Sequence, residues 1–147
     1  MDKAQALRPK DPYLQELKAE LLMRNKHFAQ SVKEYSKAVS MNPHNALALS
    51  GYGRALLANK QTTKALSVLK KAREIDFRNT SLLRDLAITY SQLGKNNMAA
   101  LVTAERYALT GYIKDAIIHA RRASKGLPNG SAAWQRAQDV LDMKKPE

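Results

Sequence analysis

Cysteine is absent from the 147 residues, so neither a disulfide framework nor a thiolate metal site can form, and the redox compartment is left undecided. Aromatic residues make up only 6% of the chain and do not interleave with its basic runs, which removes support for base stacking along a nucleic acid. No apolar run approaches the ~20 residues needed to span a bilayer, and residues 1–10 lack the apolar core of a signal peptide. Histidine is scarce and dispersed: His27, His44 and His119 fall in no His-Glu-x-x-His spacing, and each is expected to have a surface or packing role. Carboxylates one helical turn apart, Glu16 with Glu20 and Asp139 with Asp142, are ordinary features of a solvated helix face. Without a catalytic constellation, or a glycine-rich loop following a strand, the chain itself is expected not to be an enzyme.

Hydrophobic residues are plentiful, at 44%, and their spacing is helical. Residues 46–79 set the pattern, with Ala46-Leu-Ala-Leu49, Gly51-Tyr-Gly-Arg-Ala-Leu-Leu57, Lys64-Ala-Leu66 and Val68-Leu-Lys-Lys-Ala72 broken by Asn59-Lys-Gln-Thr62. That is two short amphipathic helices joined by a tight turn. Gly53 and Ala65 are placed to let the two backbones approach, with Leu56, Leu69 and Ala72 filling the seam. Such a hairpin carries more apolar surface than one pair can bury, so it must stack on copies of itself.

Copies exist at a spacing of 34 residues. Counting from Ala46, the small places 8, 20 and 27 hold Gly53, Ala65 and Ala72; counting from Pro12 they hold Ala19, Ser31 and Ala38. From Thr80 the frame gives Leu83, Leu86, Ala87 and Tyr90, then puts Arg106 where a close contact needs a small residue. Restarting at Asn97 restores Ala104, Ala116, Ala120 and Ala123, and the next start, Ser131, puts Trp134 at its fourth place and Leu141 at its eleventh. Repeat starts therefore lie near 12, 46, 80, 97 and 131. At the half-step, either the helix near residues 96–109 closes one hairpin and opens the next, or the array kinks.

Turn chemistry and capping residues predict about eight helices, over 12–24, 28–41, 45–58, 62–75, 80–93, 96–109, 113–125 and 131–143. Residues 11–143 should form a single domain, between a flexible lead-in over 1–10 and a disordered tail over 144–147. Because Ala4, Leu7 and Pro9 resemble the end of a preceding repeat, the natural chain is expected to continue upstream.

The small and large places quoted resemble the tetratricopeptide (TPR) repeat, W-x₂-L-G-x₂-Y followed by spaced alanines and a closing proline. The resemblance implies an all-α fold, a right-handed superhelical stack of antiparallel helix pairs, whose concave side is lined by the first helix of each pair. Carried onto this chain, the groove-facing places are Tyr13, Glu16, Glu20, Met23 and Arg24, then Leu47, Ser50, Arg54, Leu57 and Ala58, then Ser81, Arg84, Ile88, Ser91 and Gln92. Arg54 and Arg84 would hold carboxylates or backbone carbonyls of an extended protein segment. TPR domains that clamp a chaperone's C-terminal carboxylates carry lysine and asparagine where this chain has Glu16 and Glu20, so that ligand is disfavoured.

A narrower resemblance covers nearly the whole chain. Asp11-Pro-Tyr-Leu-Gln-Glu-Leu-Lys18, Gly94-Lys-Asn-Asn-Met-Ala-Ala100, Ala104-Glu-Arg-Tyr-Ala-Leu-Thr-Gly111 and Leu127-Pro-Asn-Gly-Ser-Ala-Ala-Trp134 are similar to the C-terminal TPR domain of bacterial periplasmic zinc metallopeptidases related to the β-barrel assembly-enhancing protease. It implies a non-catalytic partner- or substrate-binding part, a periplasmic location, and zinc held only by an upstream peptidase domain that is itself a candidate partner. The alternative is a stand-alone basic adaptor, cytoplasmic in that case, which would bind acidic partners or nucleic acid. It draws on the net charge of +12 and on Lys70-Lys71-x-Arg73 and Arg121-Arg122-x-x-Lys125. Those runs sit in the last turns of predicted helices, where cations also favour the helix dipole. The sequence sets neither the partner's identity nor the oligomeric state.

Overall fold

The computed structural model describes residues 11–143, and the expected lead-in over 1–10 and tail over 144–147 lie outside them. Eight helices and no strand occur among the described residues: α1 Pro12–Arg24, α2 Phe28–Met41, α3 Ala46–Ala58, α4 Thr62–Ile75, α5 Thr80–Gln92, α6 Asn96–Leu109, α7 Ile113–Gly126 and α8 Ala132–Leu141. Two compact units contain them, the first ending at Asp76 and the second beginning at Phe77.

Two kinds of helix start alternate through α5. Asp11, Asn45, Asn79 and Ser131 cap α1, α3, α5 and α8, each side-chain oxygen accepting from an orphan amide of the first turn: Tyr13 at 2.9 Å, Leu47 at 3.0 Å, Leu82 at 3.1 Å and Trp134 at 3.1 Å. The starts of α2, α4, α6 and α7 carry no side-chain cap. Each of these four follows a tight turn whose central residue is left-handed: Lys26 (φ 63°), Lys60 (φ 63°), Gly94 (φ 73°) and Gly111 (φ 87°). Glycine takes that conformation at no steric cost, whereas a lysine there is strained. Sequence reading finds the two glycines and overlooks the two lysines.

In the first unit α1 packs on α2, α3 on α4 and α2 on α3, while α1 also reaches α3. Ala19, Ala55, Leu56, Ala65, Leu69 and Ala72 are sealed from solvent. A Cβ built on Gly53 would drive into the Leu69 side chain, so the α3–α4 approach requires that glycine. Polar groups in the α1–α2 seam are satisfied: the Ser31 hydroxyl donates to the Ala19 carbonyl at 2.8 Å, and the Gln15 amide donates to Glu34, whose other oxygen faces Lys37 at 3.5 Å.

The second unit settles the half-step. α6 packs on both α5 and α7, and α8 packs on α7 and touches α6. The α6–α8 contact is the counterpart of α1–α3, whereas α5 and α7 do not meet among the described residues. One helix thus closes the pair begun by α5 and opens the pair completed by α7. Its two flanks are both short left-handed turns, at Gly94 and Gly111, half a repeat apart. The core around it is built on alanine: Ala104, Ala116 and Ala120 pack with Val140, and Ala100, Ala123 and Ala137 with Leu101. Small side chains on three neighbouring helices let the axes draw close.

Two substitutions test this packing in equilibrium denaturation. Lys60→Gly relieves the left-handed strain and should stabilise the chain by about 0.5–1 kcal/mol. Gly53→Ala should destabilise it by about 1–2 kcal/mol, overpacking outweighing a helix-propensity gain of at most about 1 kcal/mol. Combined with Leu69→Ala it should cost less than the sum of the two single changes, since the added methyl then has room.

Candidate functional site

On α1, Tyr13, Glu16 and Glu20 recur at helical steps along one face, with Met23 and Arg24 continuing it; on α3, Leu47, Ser50, Arg54 and Leu57 do the same. All are exposed or half-buried. The apolar members are unusually open, Tyr13 and Leu47 each being 67% exposed. Arg24 donates to Glu20 at 2.7 Å along the helix, and the Ser50 hydroxyl turns back to the Ala46 carbonyl at 2.8 Å. Arg84, Ile88 and Gln92 stand on α5 in the second unit, at successive turns of one open face.

A tyrosine of α2 stands against α3, among charges carried by α1 and α3. Tyr35 of α2 has its ring buried, 6% exposed, and lies against Gly51 of α3: a Cβ at Gly51 would stand 2.6 Å from the ring and 2.7 Å from the hydroxyl oxygen. Tyr35 is held there among charges from both helices. Burial first, then the Glu20 and Glu16 carboxylates, push its hydroxyl up to about 12, against the opposing pull of Arg54 and Arg24. Glu16 is itself raised above its ordinary 4.5, by burial first and by Glu20 second. Two glycines in one helix interior, Gly51 and Gly53, were the available signal, since each weakens a helix and so marks a close approach. Which side chain fills that approach is a tertiary matter.

Residues 22–87 match the family model described as tetratricopeptide repeat. That stretch is tetratricopeptide repeat sequence. Solved structures extend the likeness in fold. A crystal structure of MamA superposes with a TM-score of 0.73 at 16% identity, over 95% of this chain and 80% of that one. The Arabidopsis OM64 TPR domain gives 0.67 at 21% identity, over 79% of this chain and 96% of that one. YrrB, described as a TPR protein with an unusual peptide-binding site, gives 0.61 at 17% identity, over 95% of this chain and 80% of that one. Comparison with curated protein sequences returned no match.

The repeat's second unit offers other surfaces. On α6 and α8, Arg136 holds Glu105 through both guanidinium edges, Nε donating to one carboxylate oxygen at 3.1 Å. His119 stacks on Tyr107 with centroids 5.5 Å apart, and burial, aided by Arg122 and opposed by Asp115, holds its imidazole below the usual 6.5. Arg121, Arg122, Lys125 and Ile118 line a hollow of about 500 Å³ together with Asn97, whose side chain lies against Gly126. Among the described residues no three His, Cys, Asp or Glu side chains come together in a way that would hold a metal ion, and no helix is long and apolar enough to cross a membrane.

Glu16 generates a pH prediction. Its raised value means the fold prefers the protonated carboxyl, so the favourable contribution is full below 4.5 and is lost as pH rises through the higher folded value. The uncharged Glu16→Gln should therefore be more stable than the parent at neutral pH by a few tenths of a kcal/mol, the half-exposed position limiting the effect. The gap should close at about pH 3, where both states carry a protonated Glu16; melting curves at the two pH values check it.

Proposed function

We infer that this TPR domain binds a partner protein through the α1–α3 face, taking an extended segment of it across Tyr13, Glu16, Glu20, Leu47 and Arg54. The observation that carries this is the arrangement about Tyr35: apolar side chains left open to solvent beside charges of both signs, on the two helices that begin their pairs. Open apolar residues next to fixed polar groups give a segment both affinity and register. The α5 residues Arg84, Ile88 and Gln92 extend the same role in the second unit. Peptide binding by YrrB, a protein of similar fold, supports the same reading. The TPR fold ordinarily serves as a non-catalytic scaffold, and nothing proposed here requires a cofactor.

We further propose that the domain is the C-terminal, partner-binding part of a periplasmic zinc metallopeptidase. The sequence segments resembling that family, from Asp11-Pro12 to Trp134, support it. On this reading the zinc belongs to the peptidase part, as the resemblance implies. The second reading, a basic adaptor for acidic partners or nucleic acid, is favoured by the hollow lined by Arg121, Arg122 and Lys125.

Peptides selected from a random display library on the intact chain test the first reading. Arg54→Glu together with Leu47→Asp should weaken the selected peptides about tenfold or more while leaving thermal unfolding nearly unchanged. Unchanged affinity would count against the α1–α3 face. Retention of an oligonucleotide at about 0.15 M salt, lost on replacing Arg121 and Arg122 by glutamate, would instead favour the adaptor reading.

A further inference from the structure

Along α7, Ile118, Arg121, Arg122 and Lys125 recur at three- and four-residue steps, so one face carries an aliphatic side chain followed by three cations. All four are exposed. The three cations make no ion pair or side-chain hydrogen bond among the described residues, whereas Arg136 on α8 is taken by Glu105. Arg121 and Lys125 stand one turn apart with like charge, which opposes the helix and is relieved when an anion lies between them. These residues line a hollow of about 500 Å³, large enough for a few side chains of a bound segment. Asn97, from the first turn of α6, lines it too and lies directly on Gly126, where a Cβ would collide with its amide. Any side chain at 126 would therefore displace that amide. It carries both a donor and an acceptor, the same pair that a peptide backbone presents in return.

The geometry points to this hollow as the seat of an acidic protein segment, an extended stretch in which an aliphatic residue and carboxylates occupy alternate positions. The aliphatic side chain would rest on Ile118, which is 53% exposed. The carboxylates would be taken by Arg121, Arg122 and Lys125, and the Asn97 amide would pair with the segment's backbone. Alternate side chains of an extended chain point the same way about 7 Å apart, a spacing that long cations one helical turn apart can meet. Nucleic acid fits less well. None of the residues lining the hollow is aromatic, so no base can stack there, and a phosphate backbone leaves Ile118 uncovered. The inference rests on the basic-adaptor reading and narrows it to one class of partner; it is independent of the α1–α3 face. The net charge of +12 would draw such a segment in, and the hollow would decide where it stays.

The experiment uses the full chain at about 0.15 M salt. The probes are a labelled peptide with one leucine and two glutamates at alternate positions, its counterpart with serine in place of leucine, and a single-stranded oligothymidine. The leucine peptide should bind about fivefold more tightly than the serine peptide on the parent, and that preference should vanish on Ile118→Ser. Arg121→Glu should weaken the leucine peptide about tenfold, whereas Lys70→Glu, the same change of net charge on the first unit, should weaken it less than about twofold. Gly126→Ala changes no charge and should still cost about threefold by displacing Asn97, with unfolding curves confirming that each variant folds. Equal losses for Arg121→Glu and Lys70→Glu, a leucine preference that survives Ile118→Ser, or unchanged affinity on Gly126→Ala would overturn the seat. Oligothymidine held more tightly than the leucine peptide, and lost on Arg121→Glu, would overturn the acidic segment and leave the basic-adaptor reading standing. If neither probe were held at this salt, both would fall.

Discussion

Close approach between α3 and its neighbours is the constraint on which the first unit depends. Gly53 brings α3 onto Leu69 of α4, and Gly51, two residues earlier, admits the ring of Tyr35 from α2. Successive glycines in one helix cost backbone entropy, roughly 0.5–1 kcal/mol each relative to alanine. The return is burial of Leu56 and Leu69 on one side and of a tyrosine ring on the other. Without the second approach the Tyr35 hydroxyl would not reach the charged face of α1 and α3.

Much of this was legible because it is local. Asp11, Asn45, Asn79 and Ser131 cap the helices they announce, and the alanines at 65, 72, 104, 116, 120 and 123 are buried where their spacing puts them. The left-handed turns at Lys26 and Lys60 escaped detection, since propensity argues against a lysine there and only the tertiary position of the hairpin enforces it. The half-step near Asn97 was visible as a shifted alanine pattern. Its meaning was not, because a shared helix and a kinked array produce the same periodicity and differ only in which helices touch. The contact of α6 with α8 distinguishes them. Tyr35 was hidden for the same reason: a repeat position says that a large residue fills a seam, not where its polar end emerges.

Glu16 makes the stability of the first unit depend on pH. A carboxylate kept half-buried beside another carboxylate weakens the folded state near neutral pH. Glu20, one turn on, is paired with Arg24 at 2.7 Å. On the second unit Glu105 and Arg136 form a two-pronged ion pair between α6 and α8.

Spectroscopic titration of Tyr35, followed by selective carbon labelling of its phenol ring, tests most directly whether the hydroxyl is held among Glu16 and Glu20. A phenol so placed keeps its proton well past the ordinary 10.0 and releases it only at about 12, and removing the Glu16 charge lowers that value. A Tyr35 that titrates at the ordinary value, indifferent to Glu16→Gln, would contradict the placement on which the proposed binding face rests.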